Sequence, residues 1–146
     1  MSKLICDLDP AMQLKARNAF ELMNDDKELK EMGVDSVVIS ETKRELCKQM
    51  AYFSRGRMEP KYVKMMYIAA GLYEPSETEC RTINTQTLSS HHIVGKAIDL
   101  VPEKDGKLWW TAPQKVWDRM GVIGERCGLK WGGRWKDFPD CPHFEI

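Results

Sequence analysis

A carboxylate in the middle of a short apolar strand constrains this chain more than any other feature. The run Ala97-Ile98-Asp99-Leu100-Val101 reads as a strand. Ile98 and Leu100 point one way, into apolar core, and Ala97 and Asp99 share the other face. An unpaired carboxylate there is costly, so Asp99 needs a cation or several donors. The small Ala97 leaves room beside it. Just upstream, Gly95 permits a sharp turn that can bring His92 back beside the strand. Imidazole plus carboxylate is a good pair of zinc ligands. It is equally a structural hydrogen-bonded pair, and this segment alone leaves both open.

With 146 residues the chain fits one domain. A chain of this size buries roughly 68–70% of its unfolded surface, enough for a core without staples. Lys+Arg and Asp+Glu both number 22, so the net charge is zero. That excludes the strongly basic footprint of a duplex nucleic-acid binder. The N-terminus has no apolar stretch of secretory-signal type, and no run of about 18 apolar residues suggests a membrane span. The five cysteines are odd in number and scattered, without a C-x-x-C pair. They read as reduced, mostly buried thiols rather than a disulfide framework.

The periodicity predicts an α+β fold in a single domain. Asp9-Pro10 is an N-cap and first helical position for an amphipathic helix over Ala11 to Met23. Asn24 to Gly33 is a loop or short second helix, and Val37-Val38-Ile39 a buried strand. Helices are expected over Glu41 to Arg55 and Lys61 to Ala70, then a long loop from Gly71 to Gln86. Lys104 to Lys107 is a turn, Pro113 to Cys127 a helix, and Lys130-Trp131 and His143 to Ile146 short strands. Residues 1–35 read as an N-terminal helical part and 36–146 as the core of the one domain.

The last segment, Trp131 to Ile146, supplies a second constellation. Pro142 holds its neighbours stiffly, so Asp140 and His143 have a fixed local geometry. A catalytic zinc site needs three protein ligands, one open position and a nearby base that is not a ligand. His143 can complete a set with His92 and Asp99. Asp140 can then serve as the base, and Glu145, on the strand face of His143, is the competing choice. Trp131 and Trp135 are either simple packing or the wall of a groove.

Taken together, Ser90-x-His92-x-x-Gly95-x-Ala97-x-Asp99 and Asp140-x-x-His143 resemble the zinc D,D-carboxypeptidase and L-alanyl-D-glutamate endopeptidase family. The closing Trp131-Gly132-Gly133-x-Trp135-Lys136 and Pro142-His143-Phe144 are similar to its endolysin-type branch. The likeness covers roughly Val37 to Ile146. It implies a small antiparallel sheet with flanking helices and one zinc on the sheet, as in Hedgehog and D,D-peptidase domains. It implies His92, Asp99 and His143 as zinc ligands, Asp140 as general base and Ser90 as an orienting residue; His91 falls outside the motif.

Upstream, Glu41-Thr42-Lys43-Arg44 stands where the family has a Ser-Gly-Tyr-Arg-like element, with Gln49 and Gly56-Arg57 following. Arg44 is then the oxyanion stabiliser, with Arg55 and Arg57 as rivals. Thr42 and Lys43 depart from the pattern. The implied activity is cleavage of the peptidoglycan stem peptide at the L-alanyl–D-glutamate bond. The alternatives are D-alanyl-D-alanine carboxypeptidase activity or a non-hydrolytic zinc-containing binding domain. A phage lysin of this kind works from the cytoplasm of an infected bacterium after release, or from a phage particle. A metal-dependent nuclease built on His91-His92 is disfavoured by the zero net charge. Neither a nucleic-acid partner nor membrane insertion is expected.

Overall fold

The first helix begins where the capping pattern puts it. In the computed structural model, which describes residues 1–146, α1 spans Pro10–Asp25. The Asp9 carboxylate accepts a hydrogen bond from the Ala11 amide at 2.9 Å, satisfying one of the helix's orphan donors. Met12, Ala16, Ala19 and Met23 form its buried stripe. A second short helix, α2 (Lys27–Glu31), follows at once and is capped by Asp26, which accepts from the Leu29 amide. Asp26 also receives both a 2.6 Å and a 3.2 Å hydrogen bond from Arg119. The Arg119 guanidinium therefore holds its carboxyl below the ordinary range, against the opposing effect of burial.

The chain divides into two compact units, Met1–Lys43 with Val94–Ile146, and Arg44–Ile93. The first unit carries an open antiparallel sheet in the order β1 (Ser36–Glu41), β2 (Ala97–Lys104), β5 (His143–Glu145), β4 (Lys130–Trp131). A short β3 (Lys107–Leu108) pairs with the far end of β2. Asp105 and Gly106 both have positive φ, as a tight two-residue hairpin with the right strand twist requires.

α1 and α6 (Gln114–Arg126) share one apolar cluster with the sheet, including Met12, Ala19, Val37, Ile98, Met120, Trp131 and Phe144. The helical residues before the first strand thus build the same core as the strands. Asn24 adds a polar clamp: its amide accepts from the Val37 N–H at 2.9 Å and donates to the Val37 carbonyl at 3.0 Å. The side chain so supplies strand-like partners to an edge strand.

Gly121 and Gly124 look like weak points in α6, since glycine in a helix costs roughly 0.5–1 kcal/mol relative to alanine. A Cβ on Gly121 would come within 2.3 Å of the Trp131 ring, and one on Gly124 within 2.4 Å of the Phe144 ring. The glycines let both rings lie against the helix backbone. That contact seats β4 and β5, and with them His143.

The second unit is helical: α3 (Leu46–Ser54), α4 (Pro60–Ala69) and α5 (Glu77–Arg81). Its small core is Ala51, Val63, Tyr67, Ala70 and Cys80. The expected helix over Glu41 to Arg55 is corrected here. Glu41 still belongs to β1, opposite Asp99 after a register shift at Ser40, and helix begins only at Leu46. A sequence without breakers could not show that pairing would claim Glu41 first. In the long loop, Ser76 and Glu79 form a reciprocal capping box that starts the single turn of α5. The expectation of mostly buried cysteines also changes. None is in a disulfide, Cys80 is buried, Cys127 and Cys141 are half-buried, and Cys6 and Cys47 are exposed. No helix is long and apolar enough to cross a membrane.

Candidate metal centre

Antiparallel register places two of the expected ligands face to face. Asp99 on β2 is the direct partner of His143 on β5, so both side chains rise from the same face of the sheet. His143 Nδ1 lies 3.2 Å from Asp99 Oδ1. His92 comes from the turn between Ser90 and Gly95. The Ser90 hydroxyl accepts from the His92 amide at 3.3 Å, and the Ile93 amide closes the turn on the Ser90 carbonyl at 3.0 Å. Gly95 has φ +71°, and a Cβ there would sit 2.9 Å from the Asp9 amide nitrogen. That amide donates to the Gly95 carbonyl at 2.9 Å, so only glycine fits this corner. The ligand atoms of His92, Asp99 and His143 all lie within 4.8 Å of one another. His92 is 1% and His143 5% exposed, so few water molecules compete for them.

Two imidazoles and a carboxylate match the three-ligand set of a catalytic zinc centre. His143 is held from both sides, since its Nε2 also lies 3.0 Å from Glu145 Oε2. Burial by itself pulls the imidazole pKa down. The hydrogen bonds to Asp99 and Glu145, with the charge of Asp140 nearby, outweigh burial and push it up to about 9.

Asp140 is half-buried and tied to this strand through its backbone. Its N–H donates to the Gly132 carbonyl at 3.0 Å, and its carbonyl accepts from the His143 N–H at 3.2 Å. Gly132 makes that approach possible: a Cβ there would lie 2.6 Å from the Asp140 carbonyl oxygen and 3.0 Å from His143 Cβ. Gly132→Ala should therefore push Asp140 and His143 apart and cost about 1–3 kcal/mol of stability, read by chemical denaturation. An unfolding midpoint equal to the parent's would show that the loop has slack and that Gly132 is not required.

The two tryptophans separate. Trp135 lies beside His143, ring centroids 5.0 Å apart, and is 40% exposed, so it can wall a groove. Trp131 is 3% exposed and packs in the core. Its indole N–H donates to the Cys141 carbonyl at 2.7 Å, which ties down the loop carrying Asp140. Packing against Gly121 and Gly133 leaves it no face for a groove.

The three arginines of the second unit also differ. The Arg44 amide donates to the His92 carbonyl at 3.0 Å, so its backbone adjoins a member of the cluster. Its guanidinium donates to Gln49 Oε1 at 2.6 Å and lies over the Tyr52 ring. Gln49 is fully buried and donates to the Thr87 carbonyl at 2.7 Å, which fixes the acceptor that Arg44 uses. Arg55 donates to the Glu79 carbonyl and Asn84, and Arg57 to the Phe53 and Thr85 carbonyls. Both are spent on helix carbonyls and loop groups of their own unit.

His91 is half-buried and outside the cluster. The sequence reading did not single out Glu41, a buried carboxylate that faces Asp99 across the β1–β2 ladder. The signal was available, since a charged residue continuing a β-branched strand is the same anomaly that marked Asp99.

Residues 83–146, somewhat under half of the chain, match the family described as D-alanyl-D-alanine carboxypeptidase.

Two curated relatives stand nearby. One is the L-alanyl-D-glutamate peptidase of Listeria phage A118, 33% identical over 74 residues, covering 48% of this chain and 26% of that protein. The other is the peptidoglycan L-alanyl-D-glutamate endopeptidase CwlK of Bacillus subtilis (strain 168), 33% identical over 85 residues and 51% of each chain. The matches thus span about half or less of those relatives' length. The crystal structure of the Serratia marcescens L-Ala D-Glu endopeptidase ChiX shares the fold. Its TM-score is 0.57 at 24% identity, covering 97% of this chain and 82% of that one.

Proposed function

We propose that this protein is a zinc-dependent peptidoglycan peptidase of phage-endolysin type that cleaves the stem peptide at the L-alanyl–D-glutamate bond. The observation that carries the proposal is the buried His92–Asp99–His143 cluster with Asp140 fastened beside it. The names of the phage and Bacillus relatives favour this bond over D-alanyl–D-alanine. One zinc per chain would be held by His92, Asp99 and His143, and when bound it would acidify a water molecule and polarise the scissile carbonyl.

The chain's own groups do the rest. Asp140 accepts a proton from the attacking water and returns it to the leaving amine. Arg44, braced by Gln49, offers its positive charge to the developing oxyanion. Ser90 holds the turn that aims His92. Trp135 gives the substrate an apolar wall beside His143, while Arg57 steadies the 85–87 loop that Gln49 also grips. The protein reaches its substrate from the cytoplasm of an infected bacterium after release, or from a phage particle.

The test is incubation of purified peptidoglycan with the protein, with and without chelator. New N-terminal D-glutamate that disappears with chelator is the expected result. Free D-alanine instead would assign the carboxypeptidase reaction. No cleavage by folded, zinc-loaded protein would overturn the enzyme and leave a binding domain.

A further inference from the structure

Glu145 is a carboxylate in direct contact with the centre that has no part in the mechanism above. It sits on the same strand face as His143, its side chain is 17% exposed, and its Oε2 lies 3.0 Å from an imidazole nitrogen. The nitrogen it contacts is Nε2, whereas Nδ1 faces Asp99 at 3.2 Å. The ring orientation is over-determined. Turning the ring over would place carbon atoms against both carboxylates and lose both hydrogen bonds.

Asp99 belongs to the ligand cluster and Glu145 does not. We infer that Glu145 is a positioning residue that accepts the Nε2–H of His143, fixes its tautomer and leaves Nδ1 as the metal-binding atom. A carboxylate on the remote N–H of a ligating histidine both orients the ring and raises its basicity. The strand supplies the spacing, because residues two apart on β5 share a face and need no loop to meet. Glu145 is anchored in turn by its backbone register opposite Ala97 on one side and Lys130 on the other. A base role would require this carboxylate to leave His143, which removes it from competition with Asp140.

The inference rests on the zinc reading above, and its test separates the two. Zinc affinity is measured by competition with a chromophoric chelator for the parent, Glu145→Gln and Glu145→Ala, alongside nitrogen-15 NMR of the zinc-loaded parent. The parent should show a metal-shifted Nδ1 and a protonated Nε2 on His143. Glu145→Ala should bind zinc about 10- to 100-fold more weakly. Glu145→Gln, whose amide oxygen still accepts the N–H, should recover most of that loss, which a merely structural defect would not permit.

A parent that binds zinc through Nε2, or a Glu145→Ala variant within twofold of the parent, overturns the inference and leaves the proposed function standing. A parent that takes up no zinc overturns both. The NMR arm needs no variant, so an Glu145→Ala protein that fails to fold still leaves a decisive result.

Discussion

Asp140→Asn should lower stem-peptide cleavage by about 10²- to 10⁴-fold while zinc stays at one per chain. That loss corresponds to about 3–5 kcal/mol in the activation barrier. Asparagine keeps the size of the side chain, so the two backbone hydrogen bonds that fasten this residue to Gly132 and His143 are retained. What changes is the ability to take and return a proton. The defect should therefore fall on kcat, with KM close to the parent's, because the role proposed for Asp140 is on the reacting water rather than in substrate binding. The competing base, Glu145, is already hydrogen-bonded to His143. Glu145→Ala should consequently weaken metal retention more than the chemical step at saturating zinc. If Asp140→Asn kept activity within tenfold of the parent, the base would have to be reassigned.

The members of the His/Asp/His cluster were legible because their chemistry conflicts with their surroundings. A carboxylate in an apolar strand and a glycine that must turn are anomalies visible one residue at a time. Their meeting was not legible. That β5 lies beside β2, and that His143 falls opposite Asp99 rather than one residue off, is set by Trp131 and Phe144 seating against glycines of α6. Nothing local to Trp131 says that its ring will be swallowed by a helix, so groove wall and packing looked alike there.

The helix boundary at Leu46 was hidden for the opposite reason. Glu41 to Glu45 suits a helix intrinsically, but strand pairing takes Glu41, and backbone hydrogen bonds with Ser2 and His92 hold Thr42 to Arg44 out of a helix. Asn24 opens the stretch expected as a loop or short second helix, and its place in α1 stays hidden because its clamp on Val37 is a tertiary contact with no sequence signature. The elements near the site follow from periodicity, whereas their register depends on packing between residues distant in the chain.

His143→Ala should reduce zinc from about one per chain to near none, since loss of one ligand breaks a three-ligand set. Its effect on the metal-free protein is the more informative part. Without metal, the His143 imidazolium sits between Asp99 and Glu145, whose side chains are only 16% and 17% exposed. Alanine leaves two carboxylates facing a vacated position, and the expected cost is about 3 kcal/mol near neutral pH.

The pH dependence has a definite sign. The folded imidazole titrates at about 9, above its ordinary value of 6.5, so the folded state holds this proton more tightly than the unfolded chain. The stabilisation is complete below pH 6.5 and disappears as pH climbs through about 9. Chelator-treated parent should thus lose stability relative to His143→Ala across that window, and the two should converge at its upper end. Denaturant titrations of both proteins, run in parallel with chelator, read the difference directly. A difference that stayed constant or grew with pH would mean that His143 is neutral between the two carboxylates, and the account of how they hold it would fail.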